Sequence, residues 1–432
     1  TLLPVYESVT FLLKIIGITT GYFILFPILC VILLVGVWIL SLKKLFRQSI
    51  SVGIIIGSLF PLINVLFLID KNNFYSIDRE EISTGNTSGR NSYTSNKTFP
   101  NIYYVVADGF MGDRGHKRMV GESLSYFTDK FKNRDFYYAE EAYANYLSSR
   151  SSIASLFHLE YFIDDETKNE EISKSSYFPA ILRRDPPPHT INFLKLLGYN
   201  LFMSGSWYSG CESIYFECIT EKKFRINREA RVILSRTIFK LLFPYFDLFD
   251  LKYDSITPVI NYYFEKIYRK ENLPSFLYIH HMQPHNPWYT DGKCQRVITK
   301  SLDKDKLYRD SVQCLNLTFS LLIDKIDAND PNAIVVLQGD HGWHRNEPGV
   351  FGKKDNELSL EVLEQNAEII NLIRSPKRCH KWLKNDLGPL NTMRFVLSCA
   401  QNLEPDYLPE LLHITTEKSE DGYSLMLFDK NK

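Results

Sequence analysis

The sequence predicts an α/β protein, an α/β/α sandwich with a mostly parallel sheet, preceded by at least two transmembrane helices. Apolar, β-branched strands alternate with helices, and two of these strands each end in a carboxylate close to a glycine, which predicts the sandwich. Long apolar segments before residue 70 predict the membrane helices. The 432 residues include 50 basic and 50 acidic side chains, so no net positive charge indicates a nucleic-acid partner.

The apolar segments lie at about 15–42 and 50–69, and each reaches the roughly 20 residues that a membrane-spanning helix needs. The short basic loop between them, 43–48 (KKLFRQ), is placed in the cytoplasm by the positive-inside rule. Both flanks then face outward, and since the chain begins with Thr1 rather than Met, we expect further spans upstream. We therefore predict a membrane anchor over 1–70; the alternative is a buried helical hairpin.

Residues 71–98 are rich in Ser, Asn, Thr and charged side chains, and they show no apolar period, which predicts a flexible linker. Residues 99–432 are then expected to form an extracytoplasmic domain. Six cysteines in this domain lie in local pairs, which indicates disulfides formed in an oxidising compartment. We expect neighbours to pair, namely Cys211 with Cys218, Cys294 with Cys314, and Cys379 with Cys399.

This domain begins with an apolar run that ends at Asp108-Gly109, which predicts a buried strand followed by a turn. Downstream, stretches with helical spacing of apolar residues alternate with short apolar strands. Helices are predicted at 121–132, 151–157, 189–197 and 307–326, and strands at 136–139, 199–205, 276–280 and 333–337.

Two carboxylates and a histidine follow two similar strands. Asp108 ends the first strand, and Asp340-His341-Gly342 follows the strand at 333–337. Because open α/β sheets bind ligands beyond the carboxyl ends of their strands, adjacent strands would bring these side chains to one rim. Two carboxylates and an imidazole can together bind a divalent ion such as zinc, manganese, calcium or magnesium. The alternative is that Asp108 caps the next helix and that the other two belong to a hydrogen-bonded loop.

A cluster of hydroxyl side chains precedes the helix predicted at 151–157. Its members are Ser148, Ser149, Ser151 and Ser152. A serine at a helix N-terminus is usually a cap. A helix start also offers amide groups and the positive end of the helix dipole, which stabilise a phosphate or sulfate group. A metal nearby would lower the pKa of a coordinated hydroxyl and make it a nucleophile.

Three histidines lie within the segment YIHHMQPHNPW at 278–288, after a predicted strand and in a loop bounded by prolines. His280 and His285 are candidates for binding an oxyanion, for the general acid or for a second metal. His281 is expected to be an ordinary loop or core histidine.

Over about 99–415 the sequence resembles the sulfatase-like hydrolases and transferases of the alkaline phosphatase superfamily. The motifs in order are NIYYVVADGF, ANYLSSRSSIASL, LKLLGYNLFMSGSWYSG, YIHHMQPHNPW, VVLQGDHG and GPLNTMRFVLSCAQN. Within the superfamily it is most similar to membrane-anchored bacterial proteins related to phosphoethanolamine and phosphoglycerol transferases. The resemblance implies an alkaline-phosphatase-like fold. With the predicted spans, it implies a multi-pass protein of the bacterial cytoplasmic (inner) membrane whose catalytic domain faces the periplasm.

Carried over by position, the resemblance implies a divalent metal ion, zinc or manganese before calcium or magnesium. The implied metal ligands are Asp108, Ser149, Asp340 and His341. Ser149 matches the nucleophile, and His285 matches a substrate-facing histidine with His280 behind it.

The sequence departs from the family pattern in two places. Leu147-Ser148 precedes the matched nucleophile where relatives usually have Pro-Gln or Ser-Gln. Because several serines lie close together here, the alignment can shift by a residue, and Ser148 is the next candidate for the nucleophile. The Cys/Ser-x-Pro-x-Arg signature from which sulfatases build formylglycine is absent, which argues against sulfate-ester hydrolysis by that route.

These features lead to the hypothesis of a metal-dependent phosphoryl-group (head-group) transferase or phosphodiester hydrolase. Ser149 would attack phosphorus and form a phospho-serine, while His285, with His280 behind it, protonates the leaving group or stabilises the equatorial oxygens. A phospholipid would donate the head group, and an envelope glycan, a membrane lipid or water would accept it. The alternatives are a sulfatase-like hydrolase that uses water and a non-catalytic scaffold that binds an envelope glycan or protein.

Overall fold

The structure, a computed structural model, describes the greater part of residues 99–432. The described residues are 99–162, 177–183, 185–205, 213–219, 256–270, 273–286, 288, 290–295, 303–343, 366–417 and 423–428. The predicted spans at 15–42 and 50–69 and the linker at 71–98 lie outside them. Within the described ranges, no helix has the length and apolar character needed to cross a membrane.

Helices and strands alternate along the described chain. The helices are α1 (Asp113–Val120), α2 (Ser125–Lys132), α3 (Ser149–His158), α4 (His189–Leu196), α5 (Ile256–Tyr262), α6 (Lys304–Asn329) and α7 (Pro389–Gln401). The strands are β1 (Ile102–Ala107), β2 (Tyr137–Tyr138), β3 (Asn200–Gly205), β4 (Glu217–Cys218), β5 (Ser275–His281), β6 (Ile334–Gly339), β7 (Asn371–Arg374), β8 (Leu412–Glu417) and β9 (Tyr423–Phe428). A π-helical turn at Tyr263–Ile267 and a 3₁₀ turn at Tyr268–Lys270 follow α5.

Seven of these strands form one sheet in the order β2-β7-β6-β1-β5-β3-β4. Neighbours from β6 to β4 pair in parallel, whereas β7 is antiparallel to both β6 and β2. Strands β8 and β9 pair as a separate hairpin. The predicted α/β fold with a mostly parallel sheet is confirmed in the described residues.

Side chains of the central strand β1 alternate between two hydrophobic cores. Those of Tyr103, Val105 and Ala107 pack with residues of α2, α5 and α6, whereas the intervening side chains pack with α3, α4 and α7. All six residues of β1 are buried, which is why its sequence reads as a continuous apolar run. Helices therefore cover both faces of the sheet, as an α/β/α sandwich requires.

The register of β1 aligns the ends of three strands. Ala107 lies opposite His281 of β5 on one side and Gly339 of β6 on the other. All three strands run in the same direction, so the residues that follow them meet at one edge of the sheet. This alignment brings the segments after residues 107, 281 and 339 together.

Most predicted elements are confirmed with small shifts in their bounds, and the first helix differs. The pattern at 121–132 predicts one helix, but Gly121 ends α1 in a left-handed conformation with φ of 80°, and α2 begins at Ser125. Glycine adopts that conformation without steric cost and commonly ends helices. The sequence did not lead us to predict helices α1 and α7 or strands β4, β7, β8 and β9.

Two of the predicted disulfides are confirmed. Cys294 bonds to Cys314, and Cys379 bonds to Cys399. Cys218 is also disulfide-bonded, while its predicted partner, Cys211, lies outside the described residues.

Candidate active site

Asp108 and Asp340 are buried side by side at the carboxyl ends of β1 and β6. The backbone N–H of Asp108 donates to the His281 carbonyl at 2.9 Å, which holds the end of β1 against β5. Asp340 Oδ1 accepts hydrogen bonds from Gly109 N and His341 N, both at 3.0 Å. Two carboxylates are therefore held together where a parallel sheet typically binds its ligand.

Asp340 Oδ2 is buried and accepts no hydrogen bond from any residue that the structure describes. A buried carboxylate oxygen without a donor is costly unless a cation or a water molecule satisfies it. One ligand atom each from Asp108, His280 and Asp340 lies within 4.8 Å of the others. Oxygen and imidazole donors at this spacing fit a divalent metal ion.

His341 contacts both carboxylates and a serine hydroxyl. Its Nδ1 donates to the Gly342 carbonyl at 2.7 Å, so Nε2 faces the site. Nε2 lies 3.2 Å from Ser149 Oγ, 3.3 Å from Asp108 Oδ1 and 3.8 Å from Asp340 Oδ2. The Nε2 atom is therefore in reach of both the candidate nucleophile and the candidate metal ligands.

The electrostatics of the site favour a cation. Burial lowers the pKa of His341, but Asp340 and Asp108 outweigh burial and raise this pKa to about 9. Burial favours the protonated form of Asp108, but the neighbouring imidazoles of His285, His341 and His280 outweigh it and hold the pKa of Asp108 below its ordinary value. The carboxylates thus hold a positive charge beside them, and a divalent ion would take the place of the Nε2 proton of His341.

His280 lies beside the carboxylates rather than in the substrate-facing loop. It is fully buried on β5, with Nε2 3.6 Å from Asp108 Oδ2, and its ring packs edge-on against Phe178. His281, the next residue, bonds through Nε2 to Gln283 Oε1 at 3.0 Å. The structure brings His280 into the candidate metal cluster and gives His281 an ordinary side-chain partner.

Ser149 is the first residue of α3, and its hydroxyl faces the cluster. Ser148, in extended conformation, precedes the helix, and its Oγ lies 2.7 Å from Ser151 Oγ. The Ser149 hydroxyl instead lies 3.2 Å from His341 Nε2. Among the serines at this helix start, the geometry therefore brings Ser149 rather than Ser148 to His341, at the positive end of the helix dipole.

His285 lies against the turn that carries Asp108. A Cβ added to Gly109 would stand 3.4 Å from His285 Cδ2, and the rings of His285 and His341 are 6.1 Å apart. Gly109 has a φ of 69°, so both its conformation and this close approach favour glycine. His285 Nδ1 donates to the Asn286 carbonyl at 2.5 Å, so its proton-free nitrogen in the neutral form is Nε2.

Sequence reasoning missed the buried Asn145, which holds the segment before Ser149. Its Oδ1 accepts from Leu390 N at 3.0 Å, and its Nδ2 donates to Tyr161 Oη at 3.2 Å and to Glu410 Oε2 at 3.3 Å. These partners lie up to 265 residues away in sequence, so no local pattern signals the contact.

The profile of the Sulfatase family matches residues 100–382, which is more than half of the chain and includes every residue of the cluster. The chain belongs to the sulfatase family. Sulfatase-family enzymes use a divalent metal, and the buried carboxylates and imidazoles of this member fit one. No curated protein matches the chain.

Solved structures to which this chain is similar include a transferase and a hydrolase. The C-terminal periplasmic domain of EcEptC from Escherichia coli in complex with Zn is 12% identical over 78% of this chain and 94% of its own, with a TM-score of 0.49. EptA, the lipooligosaccharide phosphoethanolamine transferase A of Neisseria meningitidis, is 13% identical over 72% of this chain and 56% of its own (TM-score 0.47). The phosphonate monoester hydrolase SpPMH of Silicibacter pomeroyi is 11% identical over 75% and 81% (TM-score 0.48).

Proposed function

We propose that this sulfatase-family chain is a metal-dependent phosphoryl-group transferase or phosphodiester hydrolase that uses Ser149 as its nucleophile. The observation that carries the proposal is the position of the Ser149 hydroxyl at the start of α3, 3.2 Å from His341 Nε2. His341 Nε2 in turn lies 3.3 Å from Asp108 Oδ1. A hydroxyl, an imidazole and a carboxylate at a helix N-terminus suit attack on a phosphoryl group.

The residues that would hold the metal are Asp108, Asp340, His341 and His280, with Ser149 beside them. Their mixture of imidazole and carboxylate ligands favours zinc or manganese over calcium or magnesium. When bound, such an ion supplies positive charge that lowers the pKa of the serine hydroxyl and stabilises the phosphoryl oxygens.

The side chains of the chain itself then have separate tasks. Because its Nδ1 is committed to the Gly342 carbonyl, His341 offers only Nε2 as a metal ligand, and this atom lies 3.2 Å from the Ser149 hydroxyl, which it keeps beside the metal site. Attack by Ser149 Oγ, with loss of its proton to solvent, forms a new O–P bond as the bond between phosphorus and the leaving oxygen breaks. An acceptor hydroxyl or water then attacks the phospho-serine, and the O–P bond to Ser149 breaks as the new bond forms. The protonated imidazole of His285 donates from Nε2 to that oxygen or to the equatorial oxygens, and the amides at the start of α3 face the same group.

The reaction would take place outside the cytoplasmic membrane, in the periplasm. Both fully described disulfides fit an oxidising compartment. The proposed spans at 15–42 and 50–69, followed by the linker at 71–98, would hold the domain at 99–432 near its substrates. Anchoring raises the effective concentration of a phospholipid head-group donor and of an envelope glycan or lipid acceptor.

The proposal competes with a sulfatase-like hydrolase and with a non-catalytic scaffold. The sequence after the nucleophile reads Ser149-Arg150-Ser151, without the proline that the formylglycine signature needs two residues on. This favours phosphorus over sulfur as the reacting atom. A scaffold has no need of a stoichiometric metal ion, so metal analysis of the purified chain discriminates that alternative.

A comparison of esters tests the proposed function. The purified full chain is assayed with a chromogenic phosphodiester and with the matching sulfate ester, beside Ser149→Ala and the control Ser148→Ala. We expect the diester to be preferred, a loss of at least about a thousandfold in kcat for Ser149→Ala, and a change below about tenfold for Ser148→Ala. Wild-type turnover by Ser149→Ala, or a preference for the sulfate ester, would contradict the proposal.

A further inference from the structure

Tyr308 of α6 contacts the turn that carries Asp108, although it is not a candidate ligand. Its hydroxyl donates to the Gly109 carbonyl at 3.0 Å and accepts from Met111 N at 3.2 Å. Gly109 N donates in turn to Asp340 Oδ1 at 3.0 Å. One buried hydroxyl therefore fixes the turn between the two candidate carboxylate ligands.

The ring of Tyr308 begins an aromatic stack, which we define as Tyr308, Trp343 and Trp288. Tyr308 lies on Trp343, in the loop after β6, with centroids 4.4 Å and planes 17° apart. Trp343 meets the Trp288 ring nearly at right angles, 6.2 Å away. Trp288 Nε1 donates to the Pro284 carbonyl at 2.8 Å, in the loop that carries His285. The aromatic stack thus joins the loops that follow β1, β6 and β5.

The helix that supplies Tyr308 is anchored independently of the site. The side chains of Val312, Leu315 and Phe319 are fully buried against the sheet. The disulfide between Cys294 and Cys314 ties the loop after β5 to the same helix. α6 is therefore a rigid reference to which the site loops are attached.

We propose that Tyr308 is a positioning residue for the proposed reaction. Its hydroxyl sets the orientation of the Asp108–Gly109 turn, and the aromatic stack sets the distances from that turn to the loops carrying His341 and His285. The proposal rests on the proposed function of this site. Groups that orient metal ligands typically contribute 10–100-fold to metal affinity or activity. Because Tyr308 does not reach the substrate, its loss is expected in metal affinity and kcat rather than in KM.

Tyr308→Phe in the full chain tests the proposal. It keeps the ring in the stack and removes the hydroxyl that binds Gly109 and Met111. We expect zinc affinity, measured by competition with a chromophoric chelator, to fall about tenfold. On a chromogenic phosphodiester we expect kcat to fall roughly 10–100-fold while KM changes less than about threefold.

Tyr103→Phe is the matched control. This tyrosine is also buried, and its hydroxyl donates to Asp330 Oδ2 at 3.0 Å, next to the amino end of β1 and away from the site. Tyr103→Phe removes one buried hydroxyl group, as Tyr308→Phe does, from the same hydrophobic core. We expect it to lower thermal stability without changing zinc affinity or kcat.

Wild-type zinc affinity and kcat in Tyr308→Phe would overturn the proposal, and so would equal losses in Tyr308→Phe and Tyr103→Phe. If Tyr308→Phe does not fold, Trp343→Phe is measured instead. It keeps both hydroxyl contacts and shrinks the stack, so a smaller fall in the same direction is expected, and no change would overturn the proposal. The two proposals can be refuted separately. Wild-type activity of Ser149→Ala would refute the proposed function, whereas the zinc affinity of Tyr308→Phe tests the positioning role without depending on turnover.

Discussion

Replacing Asp340 with Asn tests whether the buried carboxylates bind a divalent cation. The exchange keeps the shape of the side chain and an oxygen for the hydrogen bonds from Gly109 N and His341 N. It removes the negative charge of the carboxylate. The Oδ2 atom of this carboxylate accepts no hydrogen bond from a described residue and lies 3.8 Å from His341 Nε2. The substitution therefore changes the charge of the site and leaves its packing in place.

The expected loss follows from the distances. Two unit charges about 4 Å apart attract by about 4 kcal/mol when the effective dielectric constant is about 20. A cation among Asp108, His280 and Asp340 would lie at least this close to the carboxylate, since their ligand atoms are within 4.8 Å of one another. Since about 1.4 kcal/mol corresponds to a factor of ten in binding, the charge of Asp340 contributes roughly a thousandfold to zinc affinity. We expect Asp340→Asn to lower zinc affinity at least a hundredfold.

The assay is a zinc titration of the chelator-stripped full chain in competition with a chromophoric chelator. Asp330→Asn is the matched control, because Asp330 accepts hydrogen bonds from Asn101 and Tyr103 next to the amino end of β1. We expect the control to bind zinc like the wild type. Zinc binding by Asp340→Asn within about threefold of the wild type would refute the assignment of this cluster as the metal site.

Two further substitutions test the fold that supports the site. Gly339→Ala is expected to lower the free energy of unfolding in urea by about 3 kcal/mol or more, because a Cβ there would lie 2.2 Å from the Phe110 carbonyl oxygen. In the control Gly121→Ala the Cβ meets nothing within 4 Å, so only the left-handed backbone strain of about 1–2 kcal/mol is expected. Equal losses in the two variants would contradict the close approach at Gly339. Cys379→Ser opens the disulfide to Cys399, 20 residues away, and is expected to cost about 3 kcal/mol with KM unchanged, since both cysteines lie in the core. An altered KM or an unchanged unfolding midpoint would contradict that reading.

Much of the site could be predicted because its residues end apolar strands. The buried run of β1 and the similar run of β6 predict two parallel strands, and Asp108 and Asp340 follow them directly. The segment around Ser149 could be placed at a helix start from its hydroxyl-rich flank. The sequence left Ser148 and Ser149 as rivals, because only the folded chain places one hydroxyl next to His341 and the other next to Ser151.

Other parts depend on contacts that no local pattern carries. Helix α1 buries only Gly115, His116 and Val120, so it lacks the broad apolar face that identifies a helix. Strand β7 has four residues and is recognisable only by its antiparallel pairing with β6. Tyr308 reads as one more apolar position of α6, and its hydrogen bond to Gly109 spans 199 residues of sequence.

The central claim is that Ser149 carries the phosphoryl group during the reaction. The most direct measurement is to mix the full chain with a chromogenic phosphodiester, quench with acid and locate any adduct by peptide mass spectrometry, with fragmentation separating Ser149 from Ser148. We predict a phosphoryl adduct on Ser149, present in Ser148→Ala and absent in Ser149→Ala. An adduct on another residue, or one that persists in Ser149→Ala, would contradict the claim.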